Sequence, residues 1–204
     1  MVATAPHILL AYSGFAASNV RELINMAKSR PGTLNYCSAG SGTSPHLVME
    51  LFKTSAGIDI VHVPHKGSAP CLIDTIAGQT SLCFDSVVVW PQYATTGKLK
   101  ALAVTGSRRS PVAAEVPTMA EYGFPEVDAS VWYGLVAPAK APPAALQLLN
   151  THIAEILGDP EVRKRLLALG AEPRPVTRAE FAKFIDAEVA QWAKGVKTAG
   201  ARID

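Results

Sequence analysis

The chain lacks most of the features that mark a specialised protein class. It holds three cysteines, Cys37, Cys71 and Cys83, and an odd number leaves at least one thiol unpaired. They match no metal-ligand spacing. They are read as three small buried residues, neither a disulfide framework nor a metal centre. Charge of one sign is also lacking. The 19 basic and 17 acidic residues are mixed along the chain, with net charge +2 and no basic block, so no nucleic-acid partner is expected. The apolar run "ILLAY" is too short to span a membrane or form a secretion-signal core, and "MVATAPHILLAYSG" has no basic segment before it. Taken alone, that reads as cytoplasmic. The dinucleotide fingerprint fails, because Pro45 stands where the third glycine belongs after Gly40 and Gly42. No Gly-Lys-Ser/Thr follows to make a phosphate loop, and Ser41 sits directly between glycines, which breaks the G-x-S-x-G elbow. No cofactor is expected.

What remains is a globular chain of 204 residues, 49% apolar and 18% charged, long enough for one large domain or two small ones. Strand and helix patterns alternate. "HILLAYSG", "TLNYCSAG", "IDIVHVPHKG", "TSLCFDSV" and "LKALAVTG" read as strands. Between them "NVRELINMAKSRPG" places Val20, Leu23, Ile24 and Ala27 on one helical face, "SPHLVMELFKTSAG" starts with Ser44 as N-cap and Pro45 in its first turn, and "APCLIDTIAG" and "VVWPQYATTGK" read as short helices. The alternation predicts an α/β fold with a parallel sheet covered on both faces.

After Ser107 the texture changes. Prolines are frequent, "VWYGLVAPAKAPP" reads as one more strand, and three amphipathic helices follow. The first carries Leu146, Leu149, Ile153, Ile156 and Leu157 at helical spacing; the last opens with Thr177 and Glu180 in capping-box spacing. One strand and three helices are too thin to build a core alone, so this tail is expected to pack on something else.

Candidate functional residues gather at strand ends. "YCSAGSGTSPH" places Ser38, Ala39, Gly40, Ser41, Gly42 and Thr43 between a strand and a helix N-terminus, where unpaired N–H groups and the helix dipole favour an anion. An unliganded tight turn is the alternative. His65, Lys66, Gly67 and Ser68 form a second strand-end loop, and Asp85 and Ser86 end a third strand. In open parallel sheets such ends share one rim. His62 reads as a strand-end histidine facing solvent or ligand. Trp132, Tyr133 and Gly134 read as core packing, or as a wall or hinge of the cleft.

Nearly the whole chain resembles the substrate-binding proteins of tripartite tricarboxylate transporters, the Bug receptors. The segments that carry the resemblance are "ELINMAKSRPGTLNYCSAGSGTSPHLVMELF", "VHVPHKG", "LIDTIAGQTSLCFDS", "GKLKALAVTGSRRS", "VPTMAEYGFP", "WYGLVAPAKAPP" and "LGAEP", in this order. The resemblance implies a type II periplasmic-binding-protein-like fold, whose two α/β lobes close on a small organic carboxylate and present it to membrane components of the transporter. It implies a periplasmic location and no chemistry. Ligand carboxylate is held by backbone amides and ordered water in two glycine-rich loops. One of them matches Ser38–Thr43, while His65–Ser68, Asp85 and Ser86 match cleft-lining strand ends; His46, in the first turn of the helix beyond the loop, is kept as a further ligand-binding candidate.

The resemblance also sets the expected organisation. Residues 1–129 form a complete lobe, the family's second, and residues 130–204 supply the returning strand and C-terminal helices of an incomplete first lobe. The family's N-terminal segment, with its signal peptide and other glycine-rich loop, has no counterpart. His65 stands where a tyrosine is usual, and Cys37 where a small residue is expected. Two rivals are kept: a hydrolase using Ser41 and His46, and a non-binding lobe that pairs with a second copy through Leu146, Ile153 or Phe181.

Overall fold

The computed structural model of the chain describes residues 1–199. Its first strand, β1 (Ala3–Tyr12), begins five residues before the apolar run that marks it in the sequence. Ile8, Leu9, Leu10 and Ala11 are all fully buried, so both faces of this strand lie in the core. Helix α1 (Val20–Ser29) opens at Asn19, whose side chain accepts the Glu22 N–H at 2.9 Å, while Glu22 accepts the Ser18 N–H at 2.7 Å. This reciprocal capping satisfies two otherwise orphaned donors. Then follow β2 (Asn35–Ser38), α2 (Ser44–Ala56), β3 (Val61–Pro64), α3 (Ser68–Ile76), β4 (Leu82–Ser86) and β5 (Leu99–Val104). The N-cap of α2 is Thr43, one residue earlier than the sequence suggests. The expected helix after β4 is a 3-10 turn, Val87–Gln92, with Pro91 inside it.

The strand order is β3-β2-β4-β1-β5. β2 runs parallel to β3 and β4, but β1 runs antiparallel to both β4 and β5. The sheet is therefore mixed, which corrects the all-parallel expectation. Alternation shows that a helix follows each strand; it does not show that β1 enters between β4 and β5 from the opposite direction. The other four strands still point one way, so the C-terminal ends of β2, β3, β4 and β5 share one rim.

Apolar layers cover both faces. One holds Leu23, Tyr36, Met49, Phe52 and Phe84, and the other Ile8, Leu10, Leu72, Trp90 and Val104. The second layer also holds the cysteines. Cys37 in β2 and Cys71 in α3 form a disulfide, and the Cys83 sulfur in β4 lies within 4.8 Å of both. All three are buried as expected, but two are bonded. Parity and spacing miss this because two intervening elements, α2 and β3, return the chain to a Cα–Cα separation of 5.5 Å.

The tail meets this body through β1 and through its last helix, which packs on α2. β6 (Ser130–Tyr133) pairs with Ala3–Pro6 on one side, and a short β7 (Glu172–Pro173), not foreseen from sequence, pairs with Ala3 and Thr4. β6 ends nine residues short of the predicted strand's first terminal proline pair, leaving Leu135 and Val136 exposed. Helices α4 (Pro143–Gly158), α5 (Pro160–Ala168) and α6 (Arg178–Ala199) complete it. Thr177 and Glu180 make the predicted capping box, with reciprocal bonds of 2.8 and 3.2 Å. Gly200, set by sequence at the end of α6, lies outside the described residues. On α4 only Leu157 of the apolar stripe is buried; Leu149 and Ile156 are each 56% exposed.

Candidate ligand-binding site

The β2–α2 loop is built by its own side chains. Ser38, fully buried, shares a 2.7 Å hydrogen bond with His62 Nε2 and accepts the Gly40 N–H at 3.2 Å. The Gly40 carbonyl accepts from the Thr43 hydroxyl at 2.6 Å and from the Thr43 N–H at 3.2 Å. Gly40 (φ 136°) and Gly42 (φ 78°) both take conformations that favour glycine. A Cβ on Gly40 would also stand 3.3 Å from the His65 carbonyl.

The β3–α3 loop is tied to the first. The His65 N–H donates to the Ser38 carbonyl and the Gly67 N–H to the Ala39 carbonyl, each at 3.1 Å. These bonds extend the β2–β3 ladder beyond the strands and hold the two loops side by side. The His65 ring does not project freely: Nε2 bonds Asp74 at 2.7 Å and Nδ1 meets the Val63 carbonyl at 3.1 Å. Its hydrogen bond to Asp74 raises its pKa above the ordinary histidine value. Lys66 is exposed at the loop tip, and Gly67 (φ 118°) caps α3.

Asp85 and Ser86 lie at the neighbouring end of β4, both 8% exposed. Ser68 Oγ donates to Asp85 Oδ2, and the Ser86 N–H to Asp85 Oδ1 at 2.7 Å. Burial raises the Asp85 pKa, and those two bonds oppose it. This carboxylate is spent on internal donors. Neither α2 nor α3 carries an acidic residue in its first turn, but Asp85 is bonded to Ser68, the first residue of α3, so of the two it is the α2 end that meets the rim without a neighbouring carboxylate.

One predicted donor is already engaged. The Gly42 N–H donates to His46 Nδ1 at 3.0 Å. His46 stacks on His62 with centroids 4.0 Å apart and planes 9° apart, and His62 stacks in turn on Tyr36. The Tyr36 hydroxyl donates to Glu50 at 2.6 Å, and Glu50 pairs with Lys53. Burial lowers the pKa of His46; burial, then the neighbouring His46, takes His62 down to about 4. The role of His62 was not legible in sequence. It follows from the parallel register that sets it opposite Tyr36.

Ser41 and His46 are not paired, so the hydrolase arrangement is not assembled at these residues. The serine–histidine contact present here, Ser38 with His62, has its serine fully buried. Beside the loop, a cavity of about 460 Å³ is lined by Gly42, Ser44 and Leu47 on one side and by Trp132, Glu188 and Trp192 on the other. Trp132 also packs edge-on against Phe181 and Phe184 but is only half-buried, and its neighbour Tyr133 is exposed.

The mixed α/β sheet with glycine loops on one rim is that of the type II periplasmic-binding-protein-like class, as its solved relatives show. The chain belongs to the tripartite tricarboxylate transporter family receptors, whose pattern matches residues 1–201. BugT of Bordetella pertussis is 34% identical over 203 residues, which is all of this chain and 62% of BugT. R. palustris Rpa4515, solved with adipate, is 35% identical, with TM-score 0.93 over 98% of this chain and 67% of that one. MatC from Rhodopseudomonas palustris, solved with bound malate, is 30% identical, with TM-score 0.87 over 95% and 67%. The chain thus spans less than two thirds of BugT and about two thirds of each solved relative.

Proposed function

We propose that the chain captures a small organic carboxylate in the periplasm and presents it to the membrane components of a tripartite tricarboxylate transporter, without chemistry. One observation carries the reading. Two bonded glycine loops, Ser38–Thr43 and His65–Ser68, place two helix N-termini on one rim with no acidic residue in either first turn. Asp85 stands at the α3 end, held by Ser68 and Ser86, so the α2 end is where an anion meets backbone dipoles without a carboxylate beside it. The adipate and malate seen in the two solved relatives fit this chemistry.

In this reading Ala39, Ser41, Lys66 and Ser68 face the anion, and Gly40 and Gly42 give it access. Residues 1–129 act as one lobe, and residues 130–204 belong to the other. The test is calorimetric titration with adipate and malate at pH 7.5, against Gly40→Val and Gly42→Val. A β-branched side chain at these φ values blocks the approach and disfavours the loop. Saturable binding in the parent and none in the variants is expected; equal affinity in all three would remove the loop from the site. Incubation with a p-nitrophenyl ester separates a receptor, which leaves the ester intact, from a hydrolase, whose turnover would be lost in Ser41→Ala.

A further inference from the structure

The β2–α2 loop is held in shape by an imidazole that must be neutral to hold it. The Gly42 N–H donates to His46 Nδ1, so that nitrogen carries a lone pair and the ring proton sits on Nε2. Gly42 is the glycine directly before the α2 N-cap, and His46 occupies the third helical position. This is where a capping-box side chain reaches back to the chain before the helix. Among the described contacts, no other partner is recorded for the Gly42 N–H. The second glycine, Gly40, is held through Ser38, which His62 grips at 2.7 Å. The two rings that pin the two glycines are stacked 4.0 Å apart.

We infer that His46 is a positioning residue for the anion loop, acting through its neutral Nδ1, and that a proton on that nitrogen releases Gly42 and with it the bound anion. This rests on the proposed carboxylate site. The proton comes from solvent and stays on Nδ1, which turns from acceptor to donor and then faces the Gly42 N–H as one donor against another. No covalent bond changes.

The surroundings decide when this happens. On α2, Glu50 favours the proton and Lys53 opposes it, and the two are paired at 2.6 Å. From β2, Tyr36 stacks on the pair and gives its hydroxyl to Glu50. From β3, His62 lies against the ring, and a second cation at 4.0 Å is strongly opposed; His65 stands one step further along the same strand end. From α6, Glu188 reaches the cavity beside Gly42, but it is bonded to both Trp132 and Trp192. Burial adds to the resistance, so the loop stays formed through neutral pH and is lost as pH falls below the ordinary histidine range.

The experiment has a ligand-free arm and a ligand arm. In the first, the assigned Gly42 amide signal of the full chain is followed by NMR as pH is lowered from about 7.5 to 4.5, bracketing the ordinary histidine pKa. It is expected to titrate in the parent and stay flat in His46→Asn, whose Oδ1 accepts the same bond but does not titrate. In the second, adipate affinity is measured at pH 7.5. His46→Asn, which keeps an acceptor for the Gly42 N–H, should bind more tightly than His46→Leu. His46→Leu, which leaves the amide without an acceptor, should bind about tenfold more weakly. His62→Phe keeps the stack but removes the second charge, so the Gly42 titration should move to higher pH.

A Gly42 signal that stays flat in the parent, or His46→Leu binding adipate as tightly as the parent, overturns the role of His46. A Gly42 signal that titrates while neither adipate nor malate binds at any pH overturns the carboxylate reading instead, and with it the release step. The amide arm needs no variant to fold, so a misfolded His46→Leu leaves the test intact.

Discussion

Helices α1 and α4 carry the same kind of apolar stripe and meet different fates. In α1, Val20, Leu23 and Ala27 are fully buried, while in α4 Leu149 and Ile156 remain 56% exposed. The stripe says which face of a helix seeks cover; it does not say that cover exists. α1 finds it on the sheet face lined by Leu9, Tyr36 and Phe84. In the tail, β6, β7 and a cluster of Trp132, Phe181 and Phe184 leave that α4 face uncovered, while α6 packs on α2. The sequence expectation is that these helices pack on something beyond themselves; among the described residues nothing covers this α4 face. Exposed apolar patches of this kind mark interaction surfaces.

The largest expected effect falls on the body. Leu23→Ala should destabilise the chain by about 2–5 kcal/mol in urea unfolding, because it opens a cavity in a closed core. Reducing the Cys37–Cys71 bond, or replacing both residues by serine, should remove about 2–4 kcal/mol. It should also weaken adipate binding, since the bond joins the strand before one loop to the helix after the other. Equal melting with and without reductant would mean that the bond is absent in solution.

Next comes the joint between the regions. A Cβ on Gly134 would lie 2.3 Å from the Phe181 ring, so Gly134→Ala should cost about 1–3 kcal/mol and change the fluorescence of Trp132, which packs on that ring. Acid should then act on the body. His7 is fully buried with neither ring nitrogen bonded, and burial pushes its pKa down to about 4, as for His62. The unfolded chain takes up protons from about pH 6.5, and the folded chain does so only near 4, so stability falls as pH drops through that window. A melting temperature constant from pH 7 to 4 would contradict both assignments.

The smallest effect sharpens the comparison most. Leu149→Ala should change stability by less than about 0.5 kcal/mol, because the side chain is more than half in water already. A loss as large as that of Leu23→Ala would mean that a second copy, or another partner, covers α4 in solution.

The sequence made the five strands of the body, the rim and the glycine loops legible, because each is a local pattern: a run, a period or a turn residue. Three things were not local. The reversed direction of β1 depends on which strands it slips between, and β4 and β5 lie more than 70 residues away. The Cys37–Cys71 bond depends on a path through α2 and β3. The fates of the candidate side chains depend on neighbours: Asp74 takes His65, Ser68 takes Asp85, and Gly42 takes His46. Residue type marked these positions, and only the fold says which donor is already spoken for.

β1 is bonded along its length, but its partners change in mid-strand. Ala3–Pro6 pairs with β6, and from His7 onward the partner is β4. The changeover falls on Pro6, which has no N–H to give. Mechanically this is a crease: one ladder stops there and the other starts. The crease is only part of the joint: α6 packs on α2 and Trp192 lies against the core of the body, so the tail is fastened at two separate places.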